Sequence, residues 1–377
     1  MLKENLSLSQ LFAIIIGFNL GTTLVVVLGI TAKEDAWITV LLSTFTGLII
    51  TSFFLNINEL VPSKNLFEII EYGFNRFLAI PITLVYTLYF FYLAARTIRD
   101  FGEITSTFIL PLTPIEIIVI TLMFIIGYIL YLGIEILGRT TEIFTPYSAL
   151  FLLLLIIFLF ASENISFTKI QPVLARGILP VIESMFPIEV SRPYGELIVM
   201  TCVFPHISNL KIRKKSVIYS VAVSGILLTI ATLIITLSLG ITTASRATFP
   251  LLSTTRLISI GNFLERIDAL AVFIIMLGIV IKSSVFIYGG LKGLEYIFKY
   301  QYRYFVIPIV CIISMFSIFI SMEINDHVKE GAVAVPYLLY LPLQFAFPCF
   351  LLFVLLIKKF INKGNAPLHD KTKKIPR

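Results

Sequence analysis

Cysteine, histidine and tryptophan are scarce in this sequence, with three, three and one copies in 377 residues. Cys202, Cys311 and Cys349 are odd in number, far apart and set in apolar runs. They give neither a disulfide framework nor a metal-ligand spacing, and are expected to be buried small hydrophobes. His206, His327 and His369 fall in loops or in the tail, which leaves no constellation for acid–base chemistry. No glycine-rich phosphate loop and no nucleophile elbow occurs, so this chain alone is no ATP-driven pump. No enzymatic activity, metal or cofactor is expected. Charge is short as well: 14% of residues are charged against 58% hydrophobic, and the mean hydropathy is +0.98. An ordinary soluble domain is excluded, and a polytopic, all-α membrane protein remains. The net charge of +7 could suit nucleic acid, but the basic residues sit in short loops and the tail. Membrane topology explains them better than a nucleic-acid partner.

Ten apolar runs approach the roughly 20 residues that a hydrocarbon core about 30 Å thick requires. They are Ser9–Ile30, Trp37–Leu55, Ile80–Thr107, Ile115–Gly133, Ile143–Ala161, a broken segment from Ile178, Val217–Ile241, Arg266–Gly290, Tyr304–Met322 and Val333–Ile357. The first does not read as a signal peptide, because no small-residue cleavage site follows it. Between the second and third, NLFEIIEYGFNRF (65–77) alternates apolar and charged positions as an interfacial amphipathic helix does.

With a cytoplasmic N-terminus, 18 of the 29 lysines and arginines fall on the cytoplasmic side and 9 outside, with Arg192 and Lys282 inside spans. Both ends are therefore expected inside, most clearly from KIRKK at 211–215. A transmembrane unit over 1–359 and a disordered basic cytoplasmic tail over 360–377, near anionic lipid, complete the expected organisation.

One stretch organises the rest: IEVSRPYGELIVMTCVFPH, 188–206. Proline removes a donor and glycine loosens the backbone, so SRPYGE at 191–196 breaks the sixth segment at membrane depth. Non-helical backbone and a carboxylate there belong against a protein-walled cavity. Ser191 or Pro193 is expected to start the second half-helix, with its free N–H groups facing an anion. Glu196 then either meets a substrate ammonium or holds a proton, or simply caps the helix or pairs with Arg192. The first segment repeats the anomaly with GFNLGTT at 17–23, read either as a second break or as glycines for close helix packing. Two irregular segments in corresponding halves are the mark of an inverted-repeat transporter with a midplane site.

The pocket is expected among Gly17, Phe18, Asn19, Gly21 and Thr22 of the first break, Pro193, Tyr194, Gly195 and Glu196 of the sixth, Tyr89 of the third segment, and Ser283 and Ser284 of the eighth. Glu196 and Lys282 are the candidates for ion or proton coupling. Lys282 either snorkels to the cytoplasmic interface or takes the place of a bound sodium. On the third segment Tyr89, Arg96 and Glu103 share a stripe, but Arg96–Asp100 and Arg99–Glu103 pairs need no ligand. Asp268 and Arg266 are expected to pair locally.

The ten-segment count, the glycine-rich first segment, PYGE at 193–196 and ERIDALAVFIIMLGIVIKSSVFIYGG at 265–290 together resemble the B subunit of bacterial spore germination receptors. That family is a branch of the amino acid, polyamine and organocation transporter superfamily. The resemblance implies a LeuT-like 5+5 inverted repeat with broken helices 1 and 6. It also implies a small nutrient ligand, often an amino acid, with a larger membrane subunit and a lipoprotein as partners, and residence in the cell membrane and the spore inner membrane. A proton- or sodium-coupled amino acid permease is the alternative, because both functions use one fold.

Overall fold

The computed structural model describes residues 5–162, 164–207, 210–258, 268–321 and 324–364. Helices account for nearly all of them, and no strand occurs among the described residues. Among the described residues, seven helices are long and apolar enough to span a membrane, and two shorter apolar helices, near the N-terminus and over Arg303–Phe319, join them.

Helix α1 (Leu8–Leu20) starts at Ser7, whose side chain accepts from the Gln10 N–H while Gln10 caps back, and it stops at Gly21. Tight turns over Thr22–Leu24 and Ile30–Asp35 replace the rest of the first apolar run. Helix α2 (Ala36–Leu60) and α3 (Leu66–Phe108) follow. The amphipathic stretch forms the start of α3, capped by Asn65 and Glu68, and Asn75 at φ 67° separates it from the spanning part. Next come α4 (Ile115–Leu132) and α5 (Ile134–Ala161).

The sixth segment is more broken than one proline would make it. A short helix α6 (Leu179–Ser184) runs into a wide turn over Met185–Glu189, then a tight helical stretch over Gly195–Cys202 and another over Phe204–His206. Pro180, Pro187, Pro193 and Pro205 remove four backbone donors along it, so one continuous α-ladder cannot form. Ser191 does not cap the second half: its hydroxyl is buried without a hydrogen-bond partner, because the tight stretch begins four residues later.

Helices α7 (Leu210–Leu239), α8 (Asp268–Phe298) and α9 (Arg303–Phe319) are regular. Helix α10 begins at Ile324, widens to π geometry over Pro336–Ala346, and closes with Phe347–Gly364. It is a third irregular element beside the expected breaks in segments one and six. Helix α8 is the axis of the bundle: 72% of its apolar window is buried, against 17% for α5, and it packs most extensively on α3.

One expectation changes here, and two other groups gain a further partner. Only Cys202 is buried, whereas Cys311 and Cys349 are exposed, as residues on the lipid-facing side of outer helices would be. Asp268 reaches Arg256 at 4.0 Å, and its expected partner Arg266 lies outside the described residues, as do the tail from 365 and His369. Arg99 pairs with Glu103 at 2.6 Å as expected, and Arg96, which interacts electrostatically with Asp100, also ion-pairs with Glu330 of α10 at 3.0 Å.

Candidate functional site

The break in the sixth segment and helix α8 meet in a buried ion pair. Glu196 Oε2 stands 2.6 Å from Lys282 Nζ, with both side chains almost wholly excluded from solvent. Each ion has further partners. The Lys282 ammonium donates to Thr22 Oγ1 at 3.0 Å and lies over the Phe18 and Phe286 rings at 5.3 and 6.0 Å. Tyr340 of α10 donates to Glu196 Oε1 at 3.3 Å. Two desolvated charges are tolerated only with such geometry and extra bonds. Lys282 therefore does not snorkel, and Glu196 does not depend on Arg192. The first break, the sixth break, α8 and α10 are tied together by one pair.

Glu196 also forms part of a cavity wall. The cavity has a volume of about 210 Å³ and runs from Thr22 and Glu196 along the C-terminal half of α3, from Leu93 to Asp100. Its apolar wall comes from Val25, Val26, Ile30, Leu93, Ile188 and Phe249. Arg96 and Arg192 bring positive charge to it, and Asp100, Glu189 and Glu196 bring negative charge. The Glu189 carboxylate accepts from the Gly29 N–H at 2.8 Å, and Thr31 donates to Ser184 at 2.6 Å. The sixth break is thereby fastened to the loop after α1. Drug-sized ligands occupy cavities of about 300–1,000 Å³, so this one suits a smaller metabolite carrying charge of both signs.

The comparisons with known proteins agree with that architecture. The spore germination protein family, a family of spore permeases, matches residues 5–327. This chain belongs to the spore germination permease family. Spore germination protein KB of Bacillus subtilis strain 168 is 34% identical over 362 residues, covering 95% of this chain and 96% of that protein. Spore germination protein XB of Bacillus anthracis is 25% identical, covering 68% of this chain and 70% of that protein. The fold is that of a LeuT-like transporter: it matches Mhp1, a nucleobase-cation-symport-1 family transporter solved in a closed conformation with bromovinylhydantoin bound. The TM-score is 0.68 at 12% identity, covering 98% of this chain and 81% of that one. The germination permease is thus an integral membrane protein with a transporter fold.

Of the residues picked out in its sequence, Thr22 and Glu196 line the cavity, and Lys282 and Phe18 stand directly behind them. The others surround this centre in supporting contacts. Asn19 donates to Ser224 of α7 at 2.7 Å. Tyr194 shares a hydrogen bond with Thr44 of α2 at 2.8 Å. The Tyr89 hydroxyl accepts from Gln344 at 2.7 Å. Gly195 packs against the Gln344 side chain, Gly17 against Ile281, and Gly21 against the backbone of Gly278. Pro193 is buried in the turn before Gly195. Ser283 returns its hydroxyl to Ile279 O at 2.7 Å, and Ser284 is fully buried. None of these contributes to the cavity lining.

Sequence reasoning passed over Glu189, Arg192 and Asp100 as cavity residues, and it missed Tyr340 and Gln344. Both Glu189 and Arg192 lie inside the highlighted stretch, Glu189 just before the break and Arg192 within it. The signal for the other two was the pair Pro336 and Pro342, which mark α10 as irregular at the depth where Tyr340 and Gln344 turn inward.

Proposed function

We propose that this permease-like protein binds a small zwitterionic nutrient of the amino acid class, and signals by a change of conformation instead of by transport. The observation that carries this reading is the double position of Glu196, in the cavity wall and in the ion pair with Lys282. A ligand ammonium drawn to Glu196 competes with Lys282 and weakens the clamp that joins four elements. Binding then favours a second conformation, and about 1.4 kcal/mol of differential affinity changes the population ratio about tenfold. A larger membrane subunit and a lipoprotein would receive this change at the spore inner membrane. The Lys282 ammonium does the work of a coupling cation, so no sodium requirement is expected for the response.

The transporter fold supports a second reading, an amino acid permease in which Glu196 or Lys282 exchanges a proton each cycle. Purified protein in liposomes, without partners, distinguishes the two. No accumulation of radiolabelled amino acids against a gradient is expected; accumulation would overturn the receptor reading.

The orientation has its own expected outcome. With both ends cytoplasmic and the basic tail beyond 359 inside, a cysteine placed at Lys214, whose side chain is 39% exposed, should react with an impermeant maleimide only after cells are permeabilised. Labelling of intact cells would reverse the topology.

A further inference from the structure

Arg96 is a buried guanidinium that interacts electrostatically with Asp100, one turn along α3, and ion-pairs with a half-exposed carboxylate, Glu330. The side chain of Arg96 is 10% exposed and that of Glu330 is 40% exposed, at an Nη1–Oε2 distance of 3.0 Å. The other carboxylate oxygen of Glu330 accepts from the Tyr92 hydroxyl at 2.9 Å. The next residue, Gly331, lies against the Arg96 guanidinium, with that of Arg192 just beyond. A methyl group there would stand 2.5 Å from Arg96 Nη2 and 3.9 Å from Arg192 Nη1. Ala332 follows in the cavity wall. The start of α10 is thus a strap across two arginines that come from α3 and from the sixth break.

The two halves of this pair differ in what it costs to separate them. A half-exposed carboxylate can return to water at little cost, whereas a buried guanidinium must keep an anion. Paired arginines with planar donor forks suit a carboxylate above other anions of this size. We infer that Arg96 and Arg192 form the receptor for a ligand carboxylate, that Glu330 occupies it in the ligand-free protein, and that displacement of Glu330 releases the strap of α10 over the cavity. This rests on the zwitterion reading above and adds which end of the ligand goes where: carboxylate to the arginines, ammonium to Glu196. Because Tyr340 and Gln344 lie further along α10, release of the strap bears directly on the Glu196 and Tyr89 contacts.

The test uses the full chain in lipid nanodiscs, with the exposed Cys311 and Cys349 replaced by alanine and a reporter cysteine at Thr97 in the cavity wall. The rate of modification by a small methanethiosulfonate is the readout. Glu330→Gln should raise that rate at least tenfold without ligand, and Glu330→Asp should restore most of the protection. Gly331→Ala, which presses a methyl group on Arg96, should act like Glu330→Gln and covers the case in which that variant folds poorly. On the Glu330→Gln protein, L-amino acids and acetate should slow modification, while their amides and chloride at equal ionic strength should not. An unchanged rate in both variants, or acids and amides acting alike, would overturn the inference. Protection by acetate but by no amino acid would support the carboxylate receptor and overturn the amino acid reading.

Discussion

Lys282→Met is expected to lower the stability of the protein by about 3–5 kcal/mol, the cost of leaving one member of a buried ion pair uncompensated. Glu196 would remain 3% exposed, with Tyr340 as its nearest donor at 3.3 Å. A single long hydrogen bond does not replace an ammonium at 2.6 Å. The double variant Glu196→Gln, Lys282→Met removes both charges and keeps both volumes, so it should recover most of the loss. That non-additivity separates a charge effect from a packing effect. Thermal midpoints of detergent-purified protein, followed by fluorescence-detected size exclusion, give the comparison. Equal midpoints for wild type and Lys282→Met would contradict the buried pair. In spores, the double variant should still insert but need a different nutrient concentration to germinate, because the clamp that the ligand competes for is gone.

The second large effect is at Gly21, where α1 ends against α8. A Cβ on Gly21 would stand 2.8 Å from the Gly278 carbonyl oxygen, and one on Gly278 would stand 2.6 Å from the Gly21 Cα. Both obstacles are backbone, which no rotamer change can move aside. Alanine at either position must therefore push two helices apart, and overpacking of this kind costs about 1–3 kcal/mol. The same Cβ would stand 3.3 Å from Lys282 Cβ, so the displacement reaches the ion pair. Gly21→Ala and Gly278→Ala should each lower the thermal midpoint, and Gly21→Leu should abolish the nutrient response along with most of the monodisperse protein. A normal response from Gly21→Leu would mean that the α1–α8 contact is not needed. The glycines of the first segment thus allow close packing as well as marking the end of a helix.

The class of the protein and the positions of its irregular segments were legible residue by residue. Apolar run length reports a span because a helix must bridge the hydrocarbon by itself. Proline and glycine report a break because their effects are local to the backbone. For the same reason Glu196 and Lys282 could be singled out as ionisable groups too deep to be incidental. Their partners could not be named. Glu196 and Lys282 are 86 positions apart, and Arg96 and Glu330 are separated by 234. The local alternatives, Arg192 for Glu196 and Asp100 for Arg96, were equally compatible with helical spacing.

The placement of the cavity was likewise decided by packing. Periodicity puts Tyr89 and Arg96 on one face of α3, but it does not say which of them a neighbour will cover. Gln344 of α10 covers Tyr89, while Arg96, two turns further along, borders the open space. Sequence by itself determined the membrane class, the expected spans and the two breaks, because each depends on residues close in the chain. Only the tertiary structure decided which charges meet, which glycines serve packing and where the cavity lies, because those depend on the register between helices that no single segment encodes.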